Sequence, residues 1–155
     1  MEKSFNVLNE LLVELFNDIM QIEQNSLKQG KLNDLSVTEI HTIEAIGMYE
    51  PRSMSEVAAD LRITVGTLTT AINKLIKKGY VERQRIEEDR RVVLVRLTKS
   101  GKLAYRLHEK FHKDMIKATI EGLSEDEEQI LISALERLNN FFKSKYNLKK
   151  SSEEK

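Results

Sequence analysis

The stretch ITVGTLTTAINKLIKKGY, residues 63–80, decides the fold class of this chain. Its apolar residues recur at steps of three and four, which predicts a short amphipathic helix with one buried face. The apolar residues are Leu68, Ala71, Ile72, Leu75 and Ile76. Thr64 is the expected N-cap residue, and Gly79 is the expected stop after two lysines.

The opposite face of this helix has side chains that suit insertion into the DNA major groove. They are small or hydrogen-bonding near the N-terminus and cationic further along: Gly66, Thr67, Thr69, Thr70, Asn73, Lys74 and Lys77. Short polar side chains and threonine methyl groups can contact base edges, whereas lysines neutralise phosphates. A solvated surface helix can carry similar residues, so the neighbouring elements must decide between the two interpretations.

Length and composition indicate one globular domain, or a small domain with an oligomerisation arm. The chain has 155 residues, of which 40% are hydrophobic and 32% charged. No apolar run reaches the roughly 18 residues of a membrane span, and the N-terminus does not resemble a secretory signal. We therefore expect a cytoplasmic protein without membrane contact. The absence of cysteine excludes disulfides, thiol switches and thiolate metal sites.

The net charge is zero, but the charge is unevenly distributed along the chain. Residues 62–113 hold 14 lysines and arginines against 5 carboxylates, a net charge of +9. The remaining residues hold 11 against 20, a net charge of −9. A basic segment between acidic arms is typical of a local surface that binds a polyanion.

The elements before the quoted stretch complete a helix-turn-helix pattern. Long amphipathic periodicity predicts a helix over 4–27, and a second helix is predicted over 36–48. Ser36 with Glu39, and Ser53 with Glu56, have the spacing of capping boxes that begin helices. A short third helix joined by a tight turn to a helix with a polar outer face is the DNA-binding helix-turn-helix arrangement.

A charged β-hairpin is predicted directly after Gly79, which makes the motif a winged helix. Alternating and β-branched residues predict strands over 80–86 and 92–97, with a polar tip at 87–91. The tip arginines suit phosphate or minor-groove contact, and we expect Asp89 to pair with one of them. The predicted DNA-binding residues are Ser53, Ser55, Thr64, Gly66, Thr67, Thr69, Thr70, Asn73, Lys74, Lys77, Asp89, Arg90 and Arg91.

Two further helices close the chain, over 99–120 after Thr98 and over 125–146 after the Ser124–Glu127 capping box. The apolar stripe of the predicted N-terminal helix at 4–27 is broad, which favours burial against a second subunit or against the chain's own core. The predicted fold is mainly α with a small β-hairpin wing (α+β). Its parts are an N-terminal dimerisation helix at 1–35, a DNA-binding lobe at 36–98 and C-terminal dimerisation helices at 99–155.

Five stretches resemble the MarR family of bacterial transcription regulators. They are SEVA at 55–58, TLTT at 67–70, LIKKGYVER at 75–83, DRR at 89–91 and LTKSG at 97–101. The resemblance implies a homodimer with interlocked terminal helices, in which two winged helices bind a palindromic operator in double-stranded DNA. Many members carry arginine where this chain has Thr70, which leaves open which residues contact bases.

Three stretches are similar to the branch of this family that represses fatty-acid biosynthesis in Gram-positive bacteria: HTIEAIG at 41–47, TVGTLTT at 64–70 and RLHEKFHKDM at 106–115. That branch uses long-chain acyl-acyl carrier protein as corepressor, which implies a basic docking patch and an apolar tunnel. The candidate patch is Lys102, Arg106, Lys110 and Lys113. The candidate tunnel residues are Phe16, Met20, Ile40, Ile43, Phe111 and Met115. Ordinary core residues and a solvated lysine row would look the same.

The alternative function is a MarR-type repressor that responds to zinc or to another small ligand, and the histidines suggest zinc. His108 and His112 lie four residues apart on one helix, which is the spacing of paired metal ligands. His41 lies on a helix that could pack nearby, and Glu23 or Glu44 could add an oxygen ligand. A site of Glu23, His41, His108 and His112 resembles the zinc-sensing branch of the family, although some of that branch use cysteine. Such histidine pairs are often incidental, and the main expectation is no metal and no cofactor.

Two other classes of function are weaker. An enzyme would need a glycine-rich phosphate loop, paired carboxylates in an apolar setting or a nucleophile beside a base, and the sequence has none of these. A protein-interaction module would not need the +9 segment at 62–113. We therefore predict a DNA-binding repressor, not an enzyme, whose affinity for DNA falls steeply with added salt.

Overall fold

A computed structural model describes residues 1–148 of the chain, and residues 149–155 of the predicted C-terminal region lie outside it. The described chain forms two compact units, Met1–His41 and the part from Thr42 onward. The boundary falls within the second helix. Within residues 1–148, no helix is both long enough and apolar enough to span a membrane.

The predicted mainly helical winged fold is confirmed. Residues 1–148 contain α1 (Glu2–Gln29), α2 (Val37–Ile46), β1 (Arg52–Ser53), α3 (Met54–Leu61), α4 (Val65–Lys77), β2 (Val81–Arg85), β3 (Val93–Leu97), α5 (Lys99–Ile120) and α6 (Glu125–Lys145). The predicted bounds of α1, α2, α5 and α6 agree with these to within two residues. The division into three parts remains a prediction.

The sheet has one strand more than the sequence predicted. Its order is β1-β3-β2, and both pairings are antiparallel. Arg52 of β1 and Arg83 of β2 both pair with Val95, which lies in the central strand and is fully buried. A strand of two residues has no periodicity to detect, so β1 was missed.

Side-chain caps fix where the helices begin. Ser53, Thr64 and Thr98 each accept a hydrogen bond from the backbone N–H three residues ahead. The Ser124–Glu127 capping box is complete, and the hydrogen bonds from Ser124, the backbone N–H first, lower the pKa of the Glu127 carboxyl. The predicted Ser53–Glu56 box forms only in part, because the Glu56 carboxylate lies 3.7 Å from Arg52 Nε.

The inner face of α4 is buried as predicted. Leu68, Ile72 and Leu75 are fully buried, whereas Ala71 and Ile76 of the predicted stripe are half-buried. The helix contacts α3 and β2. The helix ends at a left-handed Gly79 with φ +84°, whose N–H donates to the carbonyl of Ile76. This packing fixes the rotation of α4 about its axis, so its polar face must point outward.

The turn after α4 is joined directly to the start of α5. The Thr98 hydroxyl donates to the Gly79 carbonyl at 2.6 Å and accepts from the Gly101 N–H at 3.1 Å, while the Thr98 N–H donates to the Tyr80 carbonyl at 3.0 Å. A Cβ on Gly101 would overlap the Tyr80 carbonyl oxygen and lie 3.1 Å from Leu97 Cβ. Glycine is therefore required at Gly101 by close backbone approach.

We predict that Gly101→Ala lowers the free energy of unfolding by at least about 2 kcal/mol, because backbone atoms at this junction cannot yield to a methyl group. Chemical denaturation followed by circular dichroism measures the change. Gly122→Ala is the matched control, since a Cβ there meets no atom within 4 Å. Equal stability of the Gly101 variant and wild type would contradict this account of the junction.

Candidate nucleic-acid interface

The outward face of α4 presents threonines whose hydroxyl groups donate hydrogen bonds to backbone carbonyls of the same helix. The Thr69 hydroxyl donates to the Val65 carbonyl at 2.8 Å, and the Thr70 hydroxyl donates to the Gly66 carbonyl at 3.5 Å. These side chains can therefore offer a base edge only an acceptor oxygen and a methyl group. Adenine and cytosine amino groups and the thymine methyl are the complementary features of the major groove.

The N-terminal end of α4 is capped by side-chain hydrogen bonds although it is exposed. Thr64 Oγ1 accepts from the Thr67 N–H at 3.1 Å and lies 2.9 Å from Thr67 Oγ1. Both residues are exposed, so the pair is accessible to DNA. Further along, Asn73, Lys74 and Lys77 are also exposed, which places cations at the C-terminal end of the helix as predicted from the sequence.

The start of α3 lies beside this face. Ser53 caps α3 and is half-buried, and Ser55 is exposed in its first turn. The neighbouring Arg52 is committed to the fold, since its guanidinium pairs with Asp60 at 2.9 Å and donates to the Ala45 carbonyl. Arg52 therefore holds α3 in place, and DNA contact by its neighbours Ser53 and Ser55 remains a prediction.

We call the whole β2–β3 hairpin the wing. The tip of the wing differs from one expectation. Within residues 1–148, Asp89 forms no ion pair with Arg90 or Arg91. Its Oδ1 accepts from the Arg91 backbone N–H at 3.0 Å instead. A short aspartate side chain commonly closes a turn in this way. Asp89 thus shapes the tip, and the side chains of both arginines are exposed.

An open groove of about 600 Å³ lies between the wing and the start of α3 and α4. We call it the wing groove. It brings together four of the predicted DNA-binding residues, Ser53, Ser55, Thr69 and Arg91. It also contains Arg83 and Arg85, which sequence reasoning assigned only to a strand. Their i, i+2 spacing was the available signal, because alternate strand residues share one face.

The candidate tunnel residues have mixed environments. Ile40 and Ile43 are fully buried, and Phe111 and Met115 are half-buried. Phe16 is 66% exposed and Met20 40% exposed. Phe16, Met20 and Ile40 belong to the first unit and the others to the second, so their role as a tunnel remains a prediction.

The predicted basic patch is partly neutralised along α5. Lys110 pairs with Asp114, and Lys113 Nζ lies 3.5 Å from Glu109 Oε1. Lys102 instead lines a shallow hollow of about 290 Å³ that also contains Lys99, together with Arg96 and its carboxylate partner Glu82. Arg106 is exposed between these two parts of the helix. The positive charge available for an acidic partner is therefore concentrated toward the start of α5.

Two histidine arrangements are present, one in each unit. In the first unit, His41 Nε2 lies 2.8 Å from Glu23 Oε1. In the second, His108 Nε2 lies 2.9 Å from His112 Nε2 and 3.3 Å from Glu44 Oε1. Glu44, named in the sequence analysis only as one of two possible oxygen ligands, is therefore the carboxylate that accompanies the α5 histidines within their own unit.

We predict that Arg90→Ala and Arg91→Ala each weaken binding to duplex DNA of any sequence while leaving oligomeric state unchanged, because both guanidinium groups are exposed on the wing. Each lost phosphate contact should reduce the slope of log K against log salt by about 0.9. Fluorescence anisotropy over a salt series measures both effects. Arg106→Ala removes the same charge from α5 as a control, and wild-type binding by both wing variants would remove the wing from the interface.

Comparison with known proteins identifies this arrangement. The MarR family profile matches residues 35–93. The crystal structure of Streptococcus pneumoniae FabT in complex with DNA superposes with a TM-score of 0.86 at 41% identity, covering 90% of this chain and 98% of that one. The regulator SarZ of Staphylococcus haemolyticus is 34% identical over 86% of this chain and 90% of its own length.

A more partial match is the regulator PchR of Bacillus subtilis, which is 28% identical over 68% of this chain. The chain spans 64% of the length of PchR, just under two thirds. These proteins are described as transcriptional regulators of the helix-turn-helix type. Together with the geometry of α3, α4 and the wing, they lead to one conclusion: this chain belongs to the MarR family of winged-helix, DNA-binding transcription regulators, with a likeness to its FabT branch.

Proposed function

We propose that this protein is a homodimeric repressor of fatty-acid-biosynthesis genes that binds a palindromic operator with long-chain acyl-acyl carrier protein as its corepressor. The observation that carries the proposal is the likeness to FabT, which was crystallised in complex with DNA, across 98% of that chain. The similarity of residues 41–47, 64–70 and 106–115 to the fatty-acid branch supports the choice of genes and corepressor.

The exposed apolar surface of α1 supports a dimer. Leu8, Leu12, Leu15 and Ile19 repeat at helical spacing and are all exposed. Apolar surface in water costs roughly 25 cal/mol per Å², and contiguous patches on a monomer generally mark an interface. A second copy of the chain provides an equivalent surface to cover this stripe.

The last helix supports the same conclusion independently. The 21 residues of α6 include no buried residue, although Leu135, Leu138 and Phe141 are all large and apolar. A helix with an apolar stripe and no burial is stabilised by packing that a single chain does not supply. We propose that α6 and α1 both contribute to the dimer interface.

In the dimer, two copies of α4 would enter successive major grooves about 34 Å apart, one turn of B-DNA. An effector changes operator affinity only if it binds two dimer geometries unequally. An acyl chain held by the half-buried Phe111 and Met115 of α5 would act on the helix that begins at the wing. The acidic carrier would dock at Lys102 and Arg106.

We predict that long-chain acyl-acyl carrier protein tightens operator binding, whereas the unacylated carrier does not. The double variant Lys102→Glu, Arg106→Glu should lose this response and keep basal operator affinity, because it reverses the available charge on α5. Lys110→Glu, Lys113→Glu is the matched control, since both lysines already pair with carboxylates. Anisotropy on a promoter fragment measures affinity with each carrier. Indifference of the wild-type protein to the acylated carrier would refute the corepressor.

We propose a zinc-responsive repressor as the second candidate, on the geometry of the Glu44–His108–His112 cluster. The Nε2 atoms of His108 and His112 lie 3.3 and 3.9 Å from Glu44 Oε1. Ligand atoms around a tetrahedral zinc ion lie about 3.3 Å apart, given zinc bonds of about 2.0–2.1 Å. His108 is buried, so the site is partly shielded from water.

If zinc is the effector, His112→Ala should lower zinc affinity by about tenfold or more, since a ligand is lost. Competition with a chromophoric chelator measures that affinity, and anisotropy with and without zinc measures the effect on operator binding. Glu109→Gln removes an α5 carboxylate outside the cluster as a control. Equal zinc affinity in wild type and the His112 variant would show that the Glu44–His108–His112 cluster does not bind zinc.

A further inference from the structure

A hydrogen bond joins α4 to the wing. The Arg83 guanidinium donates from Nη2 to Asn73 Oδ1 at 2.6 Å, and both residues are exposed. Asn73 belongs to the outer face of α4 that was predicted to contact DNA. Its amide oxygen is already engaged by a neighbouring strand.

The backbone of Arg83 is held firmly. Arg83 pairs with Val95, the buried residue of the central strand that also pairs with β1. The two ends of the Arg83–Asn73 bond therefore lie on elements fixed by the core. The bond orients an arginine whose position along the sheet is already set.

The two faces of β2 differ in charge. On one face, Glu82 accepts from Arg96 at 2.6 Å, which neutralises both groups. On the other face lie Val81, Arg83 and Arg85, of which Val81 is buried. The arginines of β2 that have no carboxylate partner among the described residues therefore lie on the face that carries Arg83 and Arg85.

This face lines the wing groove. Arg83, Arg85 and Arg91 contribute three guanidinium groups, and none of the described residues that line the groove is acidic. Ser53 and Ser55 also line the groove and carry hydroxyls. Guanidinium groups beside hydroxyl donors match the chemistry of a phosphodiester, which accepts several hydrogen bonds.

We propose that the wing groove binds a phosphate of the DNA backbone and that Asn73 is a positioning residue that holds Arg83 toward this phosphate. The inference rests on the proposed DNA-binding function. Bidentate recognition of adenine by asparagine uses both the amide oxygen and the amide nitrogen. While Asn73 Oδ1 accepts from Arg83, that mode is closed, so Asn73 acts through Arg83 and not on a base edge.

The test is a double-mutant cycle of Asn73→Ala and Arg83→Ala, with anisotropy on the operator and on operators substituted one base pair at a time. We expect each single variant to weaken binding by about tenfold on every sequence, and the double variant to be no weaker than Arg83→Ala. Arg83→Ala should also reduce the salt slope by about 0.9. Gln84→Ala, on the other face of β2, is the control and should bind as wild type does. Circular dichroism verifies that all variants are folded.

Three results would overturn the inference. A change of base preference in Asn73→Ala would make Asn73 a base-contacting residue. Additive losses in the double variant would show that the two residues act independently. If Arg83→Ala binds DNA with wild-type affinity, the wing groove does not bind a backbone phosphate. In each of these cases the wild-type protein still binds its operator, so the proposed function stands. Absence of sequence-specific binding by the wild-type protein would instead refute the proposed function and this inference with it.

Discussion

The contact between the Gly79–Tyr80 turn and the Thr98–Gly101 turn is the constraint on which the DNA-binding lobe depends. It joins the end of the recognition helix α4 to the start of α5 through two hydrogen bonds and a backbone approach that only glycine permits. A displacement of α5 would therefore act on the turn that ends α4. Residues proposed to hold an effector, including His108, His112 and Phe111, lie on α5. This junction gives the proposed coupling between effector and DNA a physical route.

Charge on this protein is divided between structural and binding roles. Arg52 and Arg96 are paired with carboxylates, as are Lys110 and Lys113 on α5. The net charge of +9 between residues 62 and 113 already includes Glu82 and Glu109, the partners of Arg96 and Lys113. The arginines of the wing groove are without carboxylate partners among residues 1–148, which concentrates the effective charge beside α4. Phosphate contacts there would set the register of α4 on the duplex.

Much of the lobe could be predicted because its signals are local. Caps at Thr64 and Thr98, the stop at Gly79 and the buried stripe of α4 all follow from residue type and spacing. The failures depended on tertiary structure. The strand β1 forms only because β3 offers it a free edge. Asp89 bonds to backbone where an ion pair was expected, and the role of Arg83 required knowledge of which face β2 turns toward α4.

We propose that two winged lobes, held by one dimer, bind two half-sites one helical turn apart. The most direct measurement is the affinity for an operator, first located by footprinting, before and after insertion of about five base pairs between its half-sites, which is half a turn. We expect the insertion to lower affinity to about that of a single half-site, since the second lobe then faces the wrong side of the duplex. Undiminished affinity for the lengthened operator would contradict it.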